Sequence, residues 1–160
     1  MQQPDLSSIE WQCLPYEQLT TAQLYDIMRV RQEVFVVEQT CPYLDADGYD
    51  DISHHLCGHT AEGELVAYAR ILPTTPTYPE HSSIGRVLTT MPYRRTGLGR
   101  MLMPKAITAT QELYPDLDIK IMAQHYLESF YKDFGFETTS ERFLYDDIWH
   151  IDMVRVNDKS

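Results

Sequence analysis

No apolar run in this chain of 160 residues approaches the roughly 20 that a helix needs to cross a bilayer, so no membrane span is expected. The opening "MQQPDLSSIEWQ" lacks the basic stretch and the apolar core of a signal peptide. Cysteine is scarce and odd in number. Cys13, Cys41 and Cys57 lie far apart, which argues against a disulfide framework. Cationic residues are also few, 13 Lys and Arg against 24 Asp and Glu, for a formal net charge of -11. So acidic a surface repels duplex nucleic acid, whose binding depends on neutralising phosphates. No internal repeat, low-complexity tract or linker divides the chain. The expectation is one cytoplasmic domain over residues 1–160, with neither nucleic acid nor membrane as partner.

What is present is an ordinary globular composition, 43% hydrophobic with charges spread along the chain. Because cations are scarce, their positions are informative. Arg86, Arg94, Arg95 and Arg100 form the densest basic segment. A local cationic cluster on an acidic protein points to a small anionic ligand.

"SIEWQCL" reads as a first strand. Thr20, with Gln23 three residues on, predicts a capping box, and Leu24, Ile27, Val30, Val34 and Val37 recur at helical spacing. "CPYLDADGYDD" breaks that pattern as a loop, and "HHLCGHT" and "ELVAYARIL" flank "AEG" as an antiparallel hairpin. "SIGRVLTT" is β-prone and feeds a helix from near Gly97 to about Leu113. "DIKIMAQ" is a further strand, "YLESFYKDFGF" a short helix closed by Gly135, and "FLYDDIWHIDMVRV" a terminal hairpin. The order βαββ, βα, βα, ββ implies an α+β fold, a mixed, mostly antiparallel sheet with helices on both faces. Pro104, about two turns into its helix, should remove a hydrogen bond and cost roughly 3 kcal/mol or force a kink.

The stretch "RRTGLGRMLM", Arg94 to Met103, follows a strand and opens a helix. Free N–H groups at a helix start, the helix dipole, two glycines that admit close approach and adjacent arginines together suit a phosphate or pyrophosphate. A plain tight turn with solvated arginines is the alternative. The spacing matches neither a dinucleotide fingerprint nor a P-loop. Arg94, two residues, Gly97, one residue and Gly99 resemble instead the signature of the GNAT family of N-acetyltransferases. "RQEVFVVEQTCPY", "DADGYD", "HLCG", "ELVAYARIL", "IGRV", "AQHYLESFYKDFGF" and "DDIWHIDM" resemble its ElaA-like branch in that order, from about Trp11 to Met153. Two departures stand out: Arg95 occupies a position commonly glycine, and Pro104 is atypical of the following helix.

The resemblance implies acetyl-CoA as donor and a splayed sheet that admits its pantetheine arm. It implies that the main chain of Val87, Leu88 and Thr89 pairs with pantetheine like an added strand. It sets the amides of Arg95, Thr96, Gly97, Leu98, Gly99 and Arg100, with the side chains of Arg94 and Arg95, around the pyrophosphate. Tyr131 becomes the general acid for the departing thiolate, with a packed tyrosine as the alternative.

The base is open. Glu38 and His55 are candidates, each with a structural alternative as a helix-end charge or a hydrogen-bonded core histidine. Asp45, Asp47, Asp50 and Asp51 would attract a cationic acceptor, although they would also hold it protonated and unable to attack. Trp149 and His150 either line the acceptor site or pack. No metal is expected. "DADGYDD" lacks the spacing of a calcium loop, and His55 and His59 on one strand face would sit roughly 13 Å apart.

The expected activity is acetyl transfer to a primary amine by direct attack in a ternary complex, since the cysteines offer no activated pair. The acceptor is a small-molecule amine or a peptide. A CoA-binding sensor without acceptor chemistry is the rival, and a pure interaction module a weaker one. An exposed sheet edge makes a homodimer through the terminal strands an ordinary arrangement.

Overall fold

A computed structural model describes residues 4–157. Its strands are β1 (Glu10–Pro15), β2 (His54–His59), β3 (Leu65–Leu72), β4 (Ser82–Thr89), β5 (Ile119–Gln124), β6 (Glu137–Thr138), β7 (Phe143–Tyr145) and β8 (Ile148–Arg155). Its helices are α1 (Thr21–Gln32), α2 (Leu98–Leu113) and α3 (Glu128–Lys132). The strands form one sheet in the order β1-β2-β3-β4-β5-β8-β6, with β7 also on β8. Every pairing is antiparallel except β4 with β5. The α+β reading therefore holds. β6, two residues long, was not anticipated, being too short to carry a periodic signal.

Helices cover both faces. On one, Ile27 and Val30 of α1, with Val34 just beyond its end, pack against Leu65, Tyr68 and Leu88. On the other, Leu98, Leu102, Met103, Ala106 and Ile107 of α2 pack with Ala67, Ala69, Ile84, Ile119 and Ile121. α1 starts at the expected capping box: the Gln23 N–H donates to Thr20 Oγ1 (3.1 Å) and the Thr20 N–H to Gln23 Oε1 (2.8 Å).

One expectation is corrected. Val37 continues the helical spacing but is 72% exposed. The chain changes to a π-helical turn over Glu33–Glu38, and each wider turn rotates later residues away from the apolar stripe. Pro104 stands inside α2, which runs unbroken from Leu98 to Leu113. The proline lies on the solvent side, where water can bond the Arg100 carbonyl that it leaves without a donor.

Candidate functional site

β4 and β5 begin as neighbours and then part. They pair only at Ser82 with Ile119 and Ser83 with Lys120, so from Ile84 onward β4 has a strand neighbour on the β3 side alone. The main chain at Val87, Leu88 and Thr89 thus borders a wedge open towards the C-terminal ends of both strands. This is the splay expected from the sequence.

β4 is itself irregular. Tyr68 pairs with Leu88 and Arg70 with Gly85, so Ala69 faces two residues, Arg86 and Val87. Such a bulge re-aims side chains. Ile84 and Val87, three apart, both lie on the α2 side, and Leu88 returns to the α1 side. Arg86 absorbs the extra residue with φ 52°, a left-handed conformation costing a non-glycine residue about 1 kcal/mol.

Arg86 is held by an ionic ring. Arg31 pairs with Asp45 (2.8 Å), Asp45 with Arg86 (2.7 Å), Arg86 with Asp47 (3.5 Å), Asp47 with Arg70 (2.6 Å), Asp50 with Arg70 (3.1 Å), and Asp50 with Arg31 (2.5 Å). Three guanidinium groups and three carboxylates alternate around a closed circuit with no net charge. Arg31 and Arg70 are buried, and the ring reaches solvent chiefly at Arg86 and Asp47. Burial would raise the Asp47 carboxyl, but the Arg70 guanidinium outweighs it and holds the carboxyl down at about 2. Asp50 is lowered too, burial being opposed by hydrogen bonds and charge from Arg31 and Arg70.

The ring overturns one expectation for three of the four aspartates, Asp51 being exposed outside it. Asp45, Asp47 and Asp50 are committed to internal arginines and offer no uncompensated charge to a cationic acceptor. Their partners Arg31 and Arg70 were missed, though the signal was present. Arg31 follows Ile27 by one helical turn on the apolar stripe, and Arg70 interrupts the apolar strand "ELVAYARIL".

His55 supports this ring. Its Nδ1 shares a hydrogen bond with the Tyr68 hydroxyl (2.7 Å), and its Nε2 lies 2.9 Å from the Asp50 carbonyl. Burial pushes its pKa down. With both nitrogens engaged, it has none to present to a substrate in this conformation. Tyr68 lies beneath the Arg31 guanidinium, 5.9 Å from ring centre to Cζ.

The turn after β4 is assembled otherwise. Thr96 Oγ1 donates to the Tyr93 carbonyl and accepts from the Leu98 N–H (3.4 Å). Gly97 takes φ 95°, which a side chain would strain. The Gly99 and Arg100 amides in the first turn of α2 have no helical carbonyl to bond. A Cβ on Gly99 would come no closer than 3.8 Å to Phe130, so the protein's own packing does not demand glycine there.

The arginines of this turn are exposed. Arg94 donates to Glu38 (2.5 Å) and to the Thr89 carbonyl (3.2 Å). Arg100 reaches Asp133 (3.0 Å) over the rings of Phe130 and Phe134. Arg95, with φ 61°, has no side-chain partner among the described residues. Glu38 is therefore engaged, at the end of the π-turn. The next residue, Gln39, accepts from Gln124 at the end of β5 (3.2 Å).

Tyr131 is buried on α3 beside Phe130 and Phe136, with centroids 5.2 and 5.9 Å away. Its hydroxyl makes no hydrogen bond among the described residues. Burial pushes its pKa up, so the phenol keeps its proton at neutral pH. His150 packs in the terminal hairpin, its ring near Phe143 and Tyr145, while Trp149 stacks under Arg142. Among the described residues no three His, Cys, Asp or Glu side chains converge to hold a metal ion, and no helix is long and apolar enough to cross a membrane.

Comparison with known proteins agrees with this geometry. The family described as acetyltransferase (GNAT) domain matches residues 29–156. A UPF0039 protein of Synechocystis is 42% identical over 91% of this chain and 94% of its own length. The crystal structure of an acyl-CoA N-acyltransferase from Pseudomonas aeruginosa superposes with a TM-score of 0.88 at 39% identity, over 93% of this chain and 100% of that one. That of Escherichia coli ElaA gives 0.85 at 40% identity, over 92% and 99%.

Proposed function

This chain belongs to the GNAT acetyltransferase family, whose fold is that of acyl transfer from CoA, and we propose that it moves an acetyl group from acetyl-CoA to a primary amine. The observation that carries the reading is the wedge between β4 and β5, leading to the unfinished turn from Arg94 to Arg100. The free edge at Val87, Leu88 and Thr89 suits an extended amide-bearing arm that pairs like an added strand. The amides of Arg95 to Arg100, the dipole of α2 and the arginines suit a pyrophosphate. Gly99, which the protein's packing does not require, is explained by the ligand's close approach.

In the proposed reaction the nitrogen lone pair of a neutral amine attacks the thioester carbonyl carbon directly. The tetrahedral intermediate collapses, the carbon–sulfur bond breaks, and the thiolate leaves with the electron pair. Tyr131, whose phenol holds its proton at neutral pH, protonates it. The attacking nitrogen gives its proton to a base. Glu38 is the better placed candidate, since both nitrogens of His55 are engaged. Arg94 must turn from Glu38 to meet a phosphate, which couples donor binding to release of that carboxylate. The acceptor is a small-molecule amine or a peptide, and the unpaired cysteines suit the reducing cytoplasm. A binding-only sensor is the second reading, favoured by the engagement of both base candidates.

Calorimetric titration with acetyl-CoA is the test, on the native chain and on Gly99→Glu. Tight binding is expected to fall by about a hundredfold or more in the variant, where a carboxylate enters the phosphate cradle. No binding to the native chain refutes the reading. Release of CoA with a panel of amines then separates enzyme from sensor. Tyr131→Phe should lower kcat by about a hundredfold with the acetyl-CoA KM unchanged.

A further inference from the structure

The ionic ring stands apart from the phosphate cradle, yet it is tied to the strand that the donor arm would use. Of its members only Arg86 belongs to β4, and Arg86 is the residue whose left-handed backbone makes the bulge. Its guanidinium reaches Asp45 at 2.7 Å and the Asp45 carbonyl at 2.9 Å, with Asp47 at 3.5 Å. Asp45 and Asp47 are fixed in turn from α1 and β3, by Arg31 and Arg70. Arg70 pairs with Gly85 at one edge of the bulge, and Tyr68 with Leu88 at the other. Below them, Tyr68 and the Asp50 carbonyl meet on the two nitrogens of His55. Both flanks of the bulge, and the residue that forms it, are thus bound to one closed network.

A bulge held this way has a consequence for the open edge. A strand segment paired on one side only is freer to relax or slide by one residue, and such a slip sends each side chain to the opposite face. Here a slip would swing Arg86 away from Asp45 and leave a buried carboxylate short of a cation. The network therefore penalises every register of β4 but the observed one. It keeps the outward-facing main-chain groups of the Val87–Thr89 edge, those of Thr89 among them, turned to the wedge before any ligand arrives. An edge already in its bound conformation spares the ligand the cost of ordering it.

We propose that Arg86 is a positioning residue: the ring formed by Arg31, Asp45, Arg86, Asp47, Arg70 and Asp50 fixes the β4 bulge and so presets the strand edge that receives the donor's extended arm. The proposal rests on the acyl-CoA reading above. It also gives a role to His55 and to the acidic loop that is neither base nor acceptor magnet.

The test compares two ligands on the full chain. Acetyl-CoA needs both the phosphate cradle and the strand edge, whereas ADP carries the pyrophosphate without the arm. Arg86→Gly keeps a backbone at ease with positive φ but removes the side chain from the ring. Its acetyl-CoA affinity should fall about tenfold while its ADP affinity holds within about twofold. Arg86→Lys keeps the charge without the fork, so a smaller loss in the same direction is expected. It carries the test where the glycine variant does not fold. An unchanged ratio of the two affinities overturns the proposal, because a ring that serves stability alone moves the melting temperature and not that ratio. An equal fall for both ligands overturns it as well. Failure of the native chain to bind acetyl-CoA overturns the underlying reading and this inference with it, a result distinct from native binding with an unchanged ratio.

Discussion

Two arginine-rich regions of this protein sit at either end of the free edge of β4, and they treat the same side chain in opposite ways. At the bulge, Arg31 and Arg70 are buried, and every carboxylate of the ring meets two guanidinium groups. At the turn, Arg94 and Arg100 keep side-chain exposures of 39% and 59% and hold single carboxylate partners, while amides of the helix start go unbonded. The contrast shows how function is divided along one strand. Where charge is closed on itself it fixes geometry, because opening the circuit strands an ion in a poor solvent. Where charge is left incomplete it stays exposed, which the proposed function reads as room for a ligand.

Removing a cation from the ring is the sharpest way to break the comparison. Arg31→Ala leaves Asp45 and Asp50 facing a cavity and should destabilise the fold by about 3–5 kcal/mol in urea unfolding. A loss below about 1 kcal/mol would place the ring among ordinary surface pairs and remove the distinction.

Acid gives a graded version. The Asp47 carboxyl is held at about 2 in the fold, below the ordinary value of about 3.9. A depressed carboxylate contributes stability above its unfolded pKa and loses it as pH falls through the folded one, so about 2 kcal/mol should disappear between about pH 4 and pH 2. Asp50 acts in the same direction. His55, lowered by burial, binds its proton more readily in the unfolded chain, so stability should start to decline below about pH 6.5. Urea midpoints from about pH 7 downward check both, and a flat profile contradicts the ring.

The smallest effect belongs to the exposed pair. Glu38→Gln should change stability by less than about 1 kcal/mol, since Arg94 and Glu38 both reach solvent. Acetyl-CoA affinity should hold or rise slightly, because Arg94 no longer leaves a charged partner to meet the phosphates. Weakened donor binding in this variant would show that the pair serves the cradle rather than competing with it.

Much of this was legible in one dimension. The capping box at Thr20, the strands on either side of "AEG" and the helix after Gly97 each depend on residues within a few positions of one another, and local chemistry suffices to place them. The proposed cradle is local in the same way, since its amides and arginines occupy seven consecutive residues, Arg94 to Arg100. The π-turn that exposes Val37 was not, because helical periodicity alone carries no sign of a wider turn.

The ring lay beyond such reading. Its members come from α1, the following loop, β3 and β4, and nothing in "DADGYDD" says whether its carboxylates face solvent or Arg31, Arg70 and Arg86. The sequence by itself determined the elements, the apolar faces and the glycine turn that opens α2, because propensity and short-range hydrogen bonding act between near neighbours. Only the tertiary structure decided which charges are spent inside, which stay exposed, and that both nitrogens of His55 are engaged. Pairing energy depends on burial and distance, and both are set by residues remote along the chain.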